Sequence, residues 1–394
     1  MIKNKIKELA EKYFSEMLSI RRHLHKNPEI SFEEFQTSKF IASKLQENNI
    51  SFVDGIATNG IVATIKGNRK SDKVVALRAD IDALPITEKN DIDYKSKIDG
   101  KMHACGHDVH TASLLGASII LNNLKDEFSG TVKLVFQPAE EKAPGGAKAM
   151  LEENLFGNEE PNLIIAQHVM PSIDVGKLGF KSGMYMASTD EVFITVKGKG
   201  GHAALPHEIT DTVLIASHII VSLQQIVSRF APASIPSVLS FGRFIADSAL
   251  NAIPDEVKIE GTFRTMNENW RQEAKQKIVE ISQSIAKGMG GECEVSFIDG
   301  YPFLINDSSI TQQAKEFASD FLGAENIEDM EIRMTGEDFA YFSQEYPATL
   351  FRLGTRNIEK NIVSPLHSST FNVDENSIKI GAGIMAWLTV SFLK

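Results

Sequence analysis

Cysteine is nearly absent from this chain: Cys105 and Cys293 are the only two in 394 residues. A disulfide framework is therefore excluded as the organising device, and a reducing compartment is expected. Positive charge is short as well, with 41 Lys and Arg against 52 Asp and Glu and a net charge of -11. Nothing implies the basic face that nucleic acid or an anionic membrane surface would require. Long apolar runs are also missing. The most apolar stretch, Ile380 to Leu393, is broken by Gly, Thr and Ser and reads as too short to span a bilayer. The opening stretch MIKNKIKELAEKYF reads as a charged amphipathic helix without the apolar core of a signal peptide. A soluble, cytoplasmic protein is expected. There are no internal repeats.

What is present suffices for two domains with proper cores: 394 residues, 42% hydrophobic and 24% charged. Apolar positions at helical spacing from Ile6 to Leu24 predict a first helix, stopped by Asn27-Pro28. Ser31 with Glu34 reads as a capping box opening a second helix to about Leu45. Strands are expected at Ile61 to Ile65, Val74 to Leu77, Thr131 to Phe136 and Leu163 to Ala166. Helices are expected at about Asp108 to Leu121 and Ala147 to Leu155. This alternation predicts a mainly parallel α/β sheet, whose sites form beyond the carboxyl ends of the strands. Asp80, Glu140, Glu141 and His168 are all expected there.

From about Gly183 the pattern changes to strand 190–197, helix 211–228, strands 237–244 and 256–264, helix 268–288 and strand 293–298. That βαββαβ order is the ferredoxin-like arrangement and predicts an inserted domain over 183–299, within a first domain of 1–182 and 300–394. The α/β pattern then returns with a helix near Ser308 to Leu322, a strand at Thr349 to Leu353 and a buried helix from Ser377 to Leu393.

One stretch, Met102-His103-Ala104-Cys105-Gly106-His107-Asp108-Val109-His110, gathers a thiol, three imidazoles and a carboxylate. Thiolate and neutral imidazole are ligands for zinc and similar metals. His103 and His107 have the spacing of the H-E-x-x-H protease helix, but Ala104 stands where the general base would be, so that reading fails. Cys105-x-His107 instead needs ligands from elsewhere, and Glu141, His168 and His367 are the donors available. These five exceed what one catalytic tetrahedral zinc takes and suit two metals sharing a bridging thiolate. Glu140, beside Glu141, is then free to act as general base.

With the motifs RRHLHKNPEISFEE, LRADIDALPI, MHACGHDVHTA, QPAEE, GGAKAM, QHVMP, GKGGHAALPH, TGEDFAYF and PLHSSTF, the chain resembles the M20 metallopeptidase family. Its likeness is to the amidohydrolase branch, with hippurate hydrolases, N-acyl-amino-acid deacetylases and indole-acetyl-amino-acid hydrolases. The resemblance implies a dinuclear catalytic domain with an inserted lid or dimerisation domain, and a homodimer, with a homotetramer as the alternative. It implies Cys105 as bridging ligand, His107, Glu141, His168 and His367 as the other ligands, and Glu140 as the base. His202 would polarise the scissile carbonyl from a partner subunit, and Asn251 and Arg264 would hold the substrate's carboxylate or carbonyl. Two divalent cations per chain are implied, Mn or Zn, with Co or Ni as alternatives. The expected reaction is hydrolysis of an N-acyl amino acid (acetyl, benzoyl or indole-acetyl). The alternatives are a dipeptidase or aminoacylase specificity on the same site, and a non-catalytic metal-bound dimeric binding protein. Two departures from the family pattern stand out: Thr212 where Pro is frequent, and Lys142-Ala143-Pro144 in place of a Gly-rich run.

Overall fold

The computed structural model describes residues 2–394. The first helical stretch is two helices, α1 (Ile2–Lys12) and α2 (Phe14–Lys26), rather than one. The i−4 hydrogen bonds of Tyr13 and Met17 still bridge the join, so the break is a slight one. There follow α3 (Phe35–Glu47), β1 (Ser51–Ile56), β2 (Gly60–Lys66), β3 (Arg69–Asp80), α4 (His107–Asn123), β4 (Ser129–Gln137), α5 (Gly146–Glu152), β5 (Leu163–Asp174) and β6 (Leu178–Phe180). The chain continues through β7 (Gly183–Met186), β8 (Asp190–Lys197), β9 (Gly201–His202), α6 (Thr212–Leu223), β10 (Ser237–Ile245), β11 (Ala252–Ile253), β12 (Glu256–Thr265), α7 (Glu268–Gly288) and β13 (Glu292–Asp299). It returns with β14 (Leu304–Asn306), α8 (Ser308–Leu322), β15 (Ile327–Asp329), α9 (Ala340–Glu345), β16 (Ala348–Arg356) and α10 (Asn376–Leu393).

These elements form two compact units. One comprises the chain up to Gly183, Ile305–Glu331 and Asp338–Lys394; the other comprises Met184–Leu304 and Ile332–Glu337. The first unit holds an eight-stranded sheet in the order β1-β2-β4-β3-β5-β16-β6-β15. Its centre, β4-β3-β5-β16, is parallel, while β1, β2 and β6 join antiparallel neighbours. Consecutive residues are buried, Leu134, Val135 and Phe136 on β4 and Ile164, Ile165 and Ala166 on β5, as expected of strands covered on both faces. Helix α4 is buried along nearly its whole length and packs on α10 and α2. Close approach is possible because Gly116 has no Cβ: one there would stand 2.1 Å from Met17 Sδ. α10 is long and apolar enough to cross a membrane, contrary to the reading of that stretch as too short, but it is mostly buried as a core helix of this unit.

Two local expectations are corrected. Ser31 and Glu34 form no capping box. α3 begins at Phe35, and the Glu29 carboxylate accepts from Gln36 N and Thr37 N. Ser31 and Glu34 are occupied elsewhere, by Asp82 and by Asn59 with Ala139. His168 does not lie beyond its strand but inside β5, two residues past the last rung shared with β3, because β5 continues alongside β16.

The second unit is a four-stranded antiparallel sheet in the order β10-β12-β8-β13. Counted along the chain this is 2-3-1-4, the ferredoxin-like order, with α6 and α7 packed on it. Both helices are capped by side chains: Asp211 accepts from Leu214 N at 2.9 Å and Asn267 accepts from Trp270 N at 2.8 Å. Val192, Ile194, Ile259, Phe263, Ile219 and Ile278 build its core.

Candidate metal centre

Asp80 ends β3, and Ile81-Asp82 continue from it. Glu140 and Glu141 lie in the loop after β4, His107 opens α4, His168 is on β5, and His367 lies in the loop after β16. All belong to the first unit. The local backbone is shaped for this. Gly106 has φ 86°, and a Cβ on it would stand 2.4 Å from Val169 Cγ2. Gly146 lies so close to the glutamate loop that a Cβ would meet Pro138 O at 1.8 Å. Ala139 and His367 are left-handed, with φ 52° and 61°, a costly state for residues other than glycine. The His367 N–H bonds Ala104 O at 2.9 Å, tying its loop to the Cys105 loop.

Ligand-type atoms converge in overlapping triads. Cys105, His107 and His168 offer atoms all within 4.8 Å of one another, and so do Cys105, Glu141 and His367. Cys105 is common to both. His107, Glu140 and Glu141 form a third such group. Cys105 Sγ stands 3.5 Å from His168 Nε2, and His367 Nε2 stands 3.3 Å from Glu141 Oε1. The structure thus gathers Cys105, His107, Glu140, Glu141, His168 and His367 at one place.

The groups behind these atoms separate ligands from supports. His107 Nδ1 donates to Asp82 at 3.1 Å, while its buried Nε2 has no hydrogen-bond partner. His168 Nδ1 donates to Val169 O at 2.8 Å, leaving Nε2 toward Cys105. An imidazole anchored at one nitrogen and turned at the other toward further donor atoms is the arrangement of a metal ligand. His110 is different. Its Nδ1 donates to Asp80 at 2.6 Å and its Nε2 accepts from Val169 N at 2.8 Å, so neither nitrogen is free. Asp80 also takes Arg78 at 2.7 Å. Asp82 accepts from Ser31 Oγ at 2.6 Å and Glu141 N at 3.0 Å, so one carboxylate holds two of the converging residues.

Charge explains what the cluster is suited to. Asp80, Asp82, Glu140 and Glu141 crowd one largely buried place. Burial, and then Glu141, Glu140 and Asp80, push the Cys105 thiol well above its usual range. Burial alone would lower His107, but Asp80, Asp82 and Glu141 overcome it and raise it to about 10. Burial and the Arg352 charge keep His168 well below its ordinary value and therefore neutral. The hydrogen bond with Glu141 raises His367. A pocket that strains to keep a thiol and an imidazole protonated is short of positive charge, and divalent cations supply it. Thiolate, imidazole and carboxylate donors fit such cations.

The remaining residues expected at the site lie in the second unit. His202, on β9, is exposed and pairs in register with Ala252 of β11; Ala203 N bonds Asn251 O at 2.9 Å, so His202 and Asn251 share one small ribbon. Arg264 on β12 is partly buried, its pKa lowered by desolvation, and its Nη1 donates to Met334 O at 3.4 Å. Sequence reasoning overlooked Asp82, Glu34 and the Arg78–Gln137–Asp338 set, in which Asp338 accepts from Arg78 at 2.8 Å, Gln137 at 2.7 Å and Ala147 N at 3.0 Å. A signal existed for Asp82: in Arg78-Ala79-Asp80-Ile81-Asp82 the charged residues alternate, which in a strand puts them on one face.

A mainly parallel α/β unit with such a centre, joined in one chain to a ferredoxin-like unit, defines a two-domain metallohydrolase. Residues 76–389 match the model of peptidase family M20/M25/M40, and the chain belongs to that family. It is a metal-dependent hydrolase, and its relatives include proteins named as amidohydrolases, deacetylases and carboxypeptidases. N-acetylcysteine deacetylase of Bacillus subtilis is 38% identical, covering 98% of this chain and 99% of that one. Thermostable carboxypeptidase 2 of Saccharolobus solfataricus is also 38% identical, covering 99% and 98%. Among solved structures, the YXEP protein of Bacillus subtilis, a dinuclear metal binding peptidase of the M20 family, superposes with a TM-score of 0.83 at 34% identity, covering 97% of this chain and 99% of that one.

Proposed function

We propose that the protein hydrolyses the amide bond of N-acyl amino acids, releasing a carboxylate and a free amino acid. The observation that carries this reading is the sharing of Cys105 between a His107–His168 triad and a Glu141–His367 triad, with Glu140 beside both. Two divalent cations held by Cys105, His107, Glu141, His168 and His367, Mn or Zn before Co or Ni, would supply Lewis acidity toward the carbonyl and lower the pKa of a water. Glu140 then takes the proton from that water and delivers it to the leaving amine. Asp82 keeps His107 turned to the centre, as the Val169 carbonyl keeps His168.

His202 donates a hydrogen bond to the developing oxyanion from a second subunit, and Arg264 and Asn251 hold the substrate's carboxylate or carbonyl. A homodimer is supported by the face of α6. Leu214, Ser217, His218 and Val221 are exposed there, and Thr212 to Ser228 carries no Asp, Glu, Lys or Arg. Strand β10 is moreover an open sheet edge. Mixing His202→Ala with Glu140→Gln chains is expected to restore activity in mixed dimers; verified mixed dimers without recovery would remove the shared site.

The deciding experiment reloads metal-free protein with Mn, Zn, Co or Ni and screens N-acetyl, N-benzoyl and indole-acetyl amino acids beside plain dipeptides. Release from acyl amino acids with two metals per chain is expected. The Saccharolobus relative is named a carboxypeptidase, and cleavage of peptides alone would move this chain to that specificity. Two metals without turnover on any substrate would point to a binding protein.

A further inference from the structure

Left-handed backbone outside glycine occurs at two positions of the candidate centre, Ala139 and His367. Among the described residues, Phe32, Asn49, Ala57, Thr58, Ala139, Asn154, Asn361 and His367 have positive φ. Asparagine tolerates this region, which accounts for Asn49, Asn154 and Asn361. The other five are Phe32, Ala57, Thr58, Ala139 and His367. Phe32 follows Ser31, Ala57 and Thr58 share a turn with Asn59, Ala139 precedes Glu140, and His367 is itself one of the converging residues. Strain of this kind persists only where surroundings enforce it, and it collects at functional positions.

At Ala139 the enforcing group is visible. Its N–H donates to Glu34 Oε1 at 2.8 Å, and Asn59 Nδ2 donates to Glu34 Oε2 at 2.9 Å. Glu34 is fully buried, and Asn59 nearly so. The Ala139 carbonyl accepts from Gly146 N at 3.0 Å, so both sides of the residue are fixed. Glu34 lies 105 residues from Ala139 in the chain, so the link is tertiary rather than a feature of the loop.

We propose that Glu34 is a positioning residue. By accepting a hydrogen bond at each oxygen it holds Ala139 in the left-handed region, and thereby sets the direction of Glu140 and Glu141. What those two glutamates do rests on the function proposed above; that Glu34 aims them does not. The task requires a carboxyl group, because both facing atoms are N–H donors. A glutamine would turn its NH2 toward one of them, and an amide nitrogen accepts nothing. A carboxyl oxygen keeps a lone pair whether the group is ionised or neutral. Glu34 acts through main chain and is not a catalytic residue.

The test compares four chains: wild type, Glu34→Gln, Ala139→Gly and the double variant. The readouts are kcat and KM on the best acyl amino acid, Zn2+ affinity by calorimetry and the thermal midpoint. Glu34→Gln is expected to lower kcat and Zn2+ affinity by about tenfold or more, as loss of a ligand's support does, with KM little changed. Glycine occupies the left-handed region without being held there. The double variant is therefore expected to come within about threefold of Ala139→Gly in both readouts. A loss equal in both backgrounds would show Glu34 to be merely structural and overturn the proposal, as would a Glu34→Gln chain indistinguishable from wild type. If Glu34→Gln does not fold, Asn59→Ala replaces it, removing only the donor at Oε2. A loss erased by Ala139→Gly supports the proposal, and a loss that persists overturns it. If the wild-type chain turns over no substrate, the proposed function fails, and the Zn2+ comparison still decides the role of Glu34.

Discussion

The two units bury opposite kinds of matter. The first encloses Arg21, Glu34, Arg78, Asp80, Asp82, His103, His107, Asp108 and His110, all within a few percent of complete burial. The second has an apolar core, its buried charges being Asp190, Arg271, Lys275 and Glu337, and its three histidines, His202, His207 and His218, are exposed. Asp190 is matched by Arg271 at 2.7 Å and Lys275 at 2.8 Å, so little is left unbalanced there. In the first unit some polar atoms are left over, including both ring nitrogens of His103 and Nε2 of His107. Burying charge costs stability unless every group is matched. The first unit therefore buries unmatched polar groups at the expense of its own stability, whereas the second keeps its histidines at the surface and its core apolar.

Substitutions can break or sharpen that contrast. The largest effect is expected from Glu140→Gln, which should lower turnover by about 10² to 10⁴-fold with metal stoichiometry unchanged. Activity above about a hundredth of wild type, measured on metal-verified protein, would remove Glu140 as base. Next comes a change confined to the second unit. Phe263→Ala should cost about 3 to 5 kcal/mol of stability, seen in denaturant unfolding, without altering the metal bound per folded chain. A fall in metal content would show that the division of labour is not clean. Asp82→Ala is the mirror experiment: metal affinity should fall about 10 to 100-fold while the fold is retained, read by elemental analysis and circular dichroism.

The smallest effect is a pH dependence. Burial lowers His103 to about 4. Its folded value lies below its unfolded value, so between pH 4 and about 6.5 the unfolded state binds the extra proton, and stability is lost as pH falls through that window. Relative to His103→Gln, the metal-free wild type should lose about 2 kcal/mol between pH 7 and pH 5. Equal pH profiles for the two chains would contradict the buried neutral imidazole.

How much was legible in the sequence follows from the range of the interactions. The Met102–His110 cluster, the Glu140–Glu141 pair and the βαββαβ order are local patterns and could be read directly. Strand β1 escaped notice because Ser51–Ile56 is an edge strand with an exposed Val53 and an Asp54-Gly55 interruption, so it lacks the apolar alternation that marks a half-buried strand. Ser31 and Glu34 misled because their spacing matched a helix cap, whereas their partners, Asp82 and Ala139, lie 51 and 105 residues away. The expected strand at Leu163 to Ala166 stops short of His168 because the pairing with β16 continues after the pairing with β3 ends. The five converging donors were recognisable by type. The residues that orient them were not, since second partners are chosen by tertiary position.

Val169 shows where evolution is free and where it is bound. Its amide proton goes to His110 and its carbonyl receives His168, so a single peptide position orients two imidazoles without using a side chain. Mutation cannot delete a main-chain group, and almost any residue supplies the same two. Drift at this codon is limited by the volume facing Gly106, not by the orientation of the histidines. Proline is the exception, since it lacks the proton His110 accepts. The alignment of these rings is thus inherited with the fold itself.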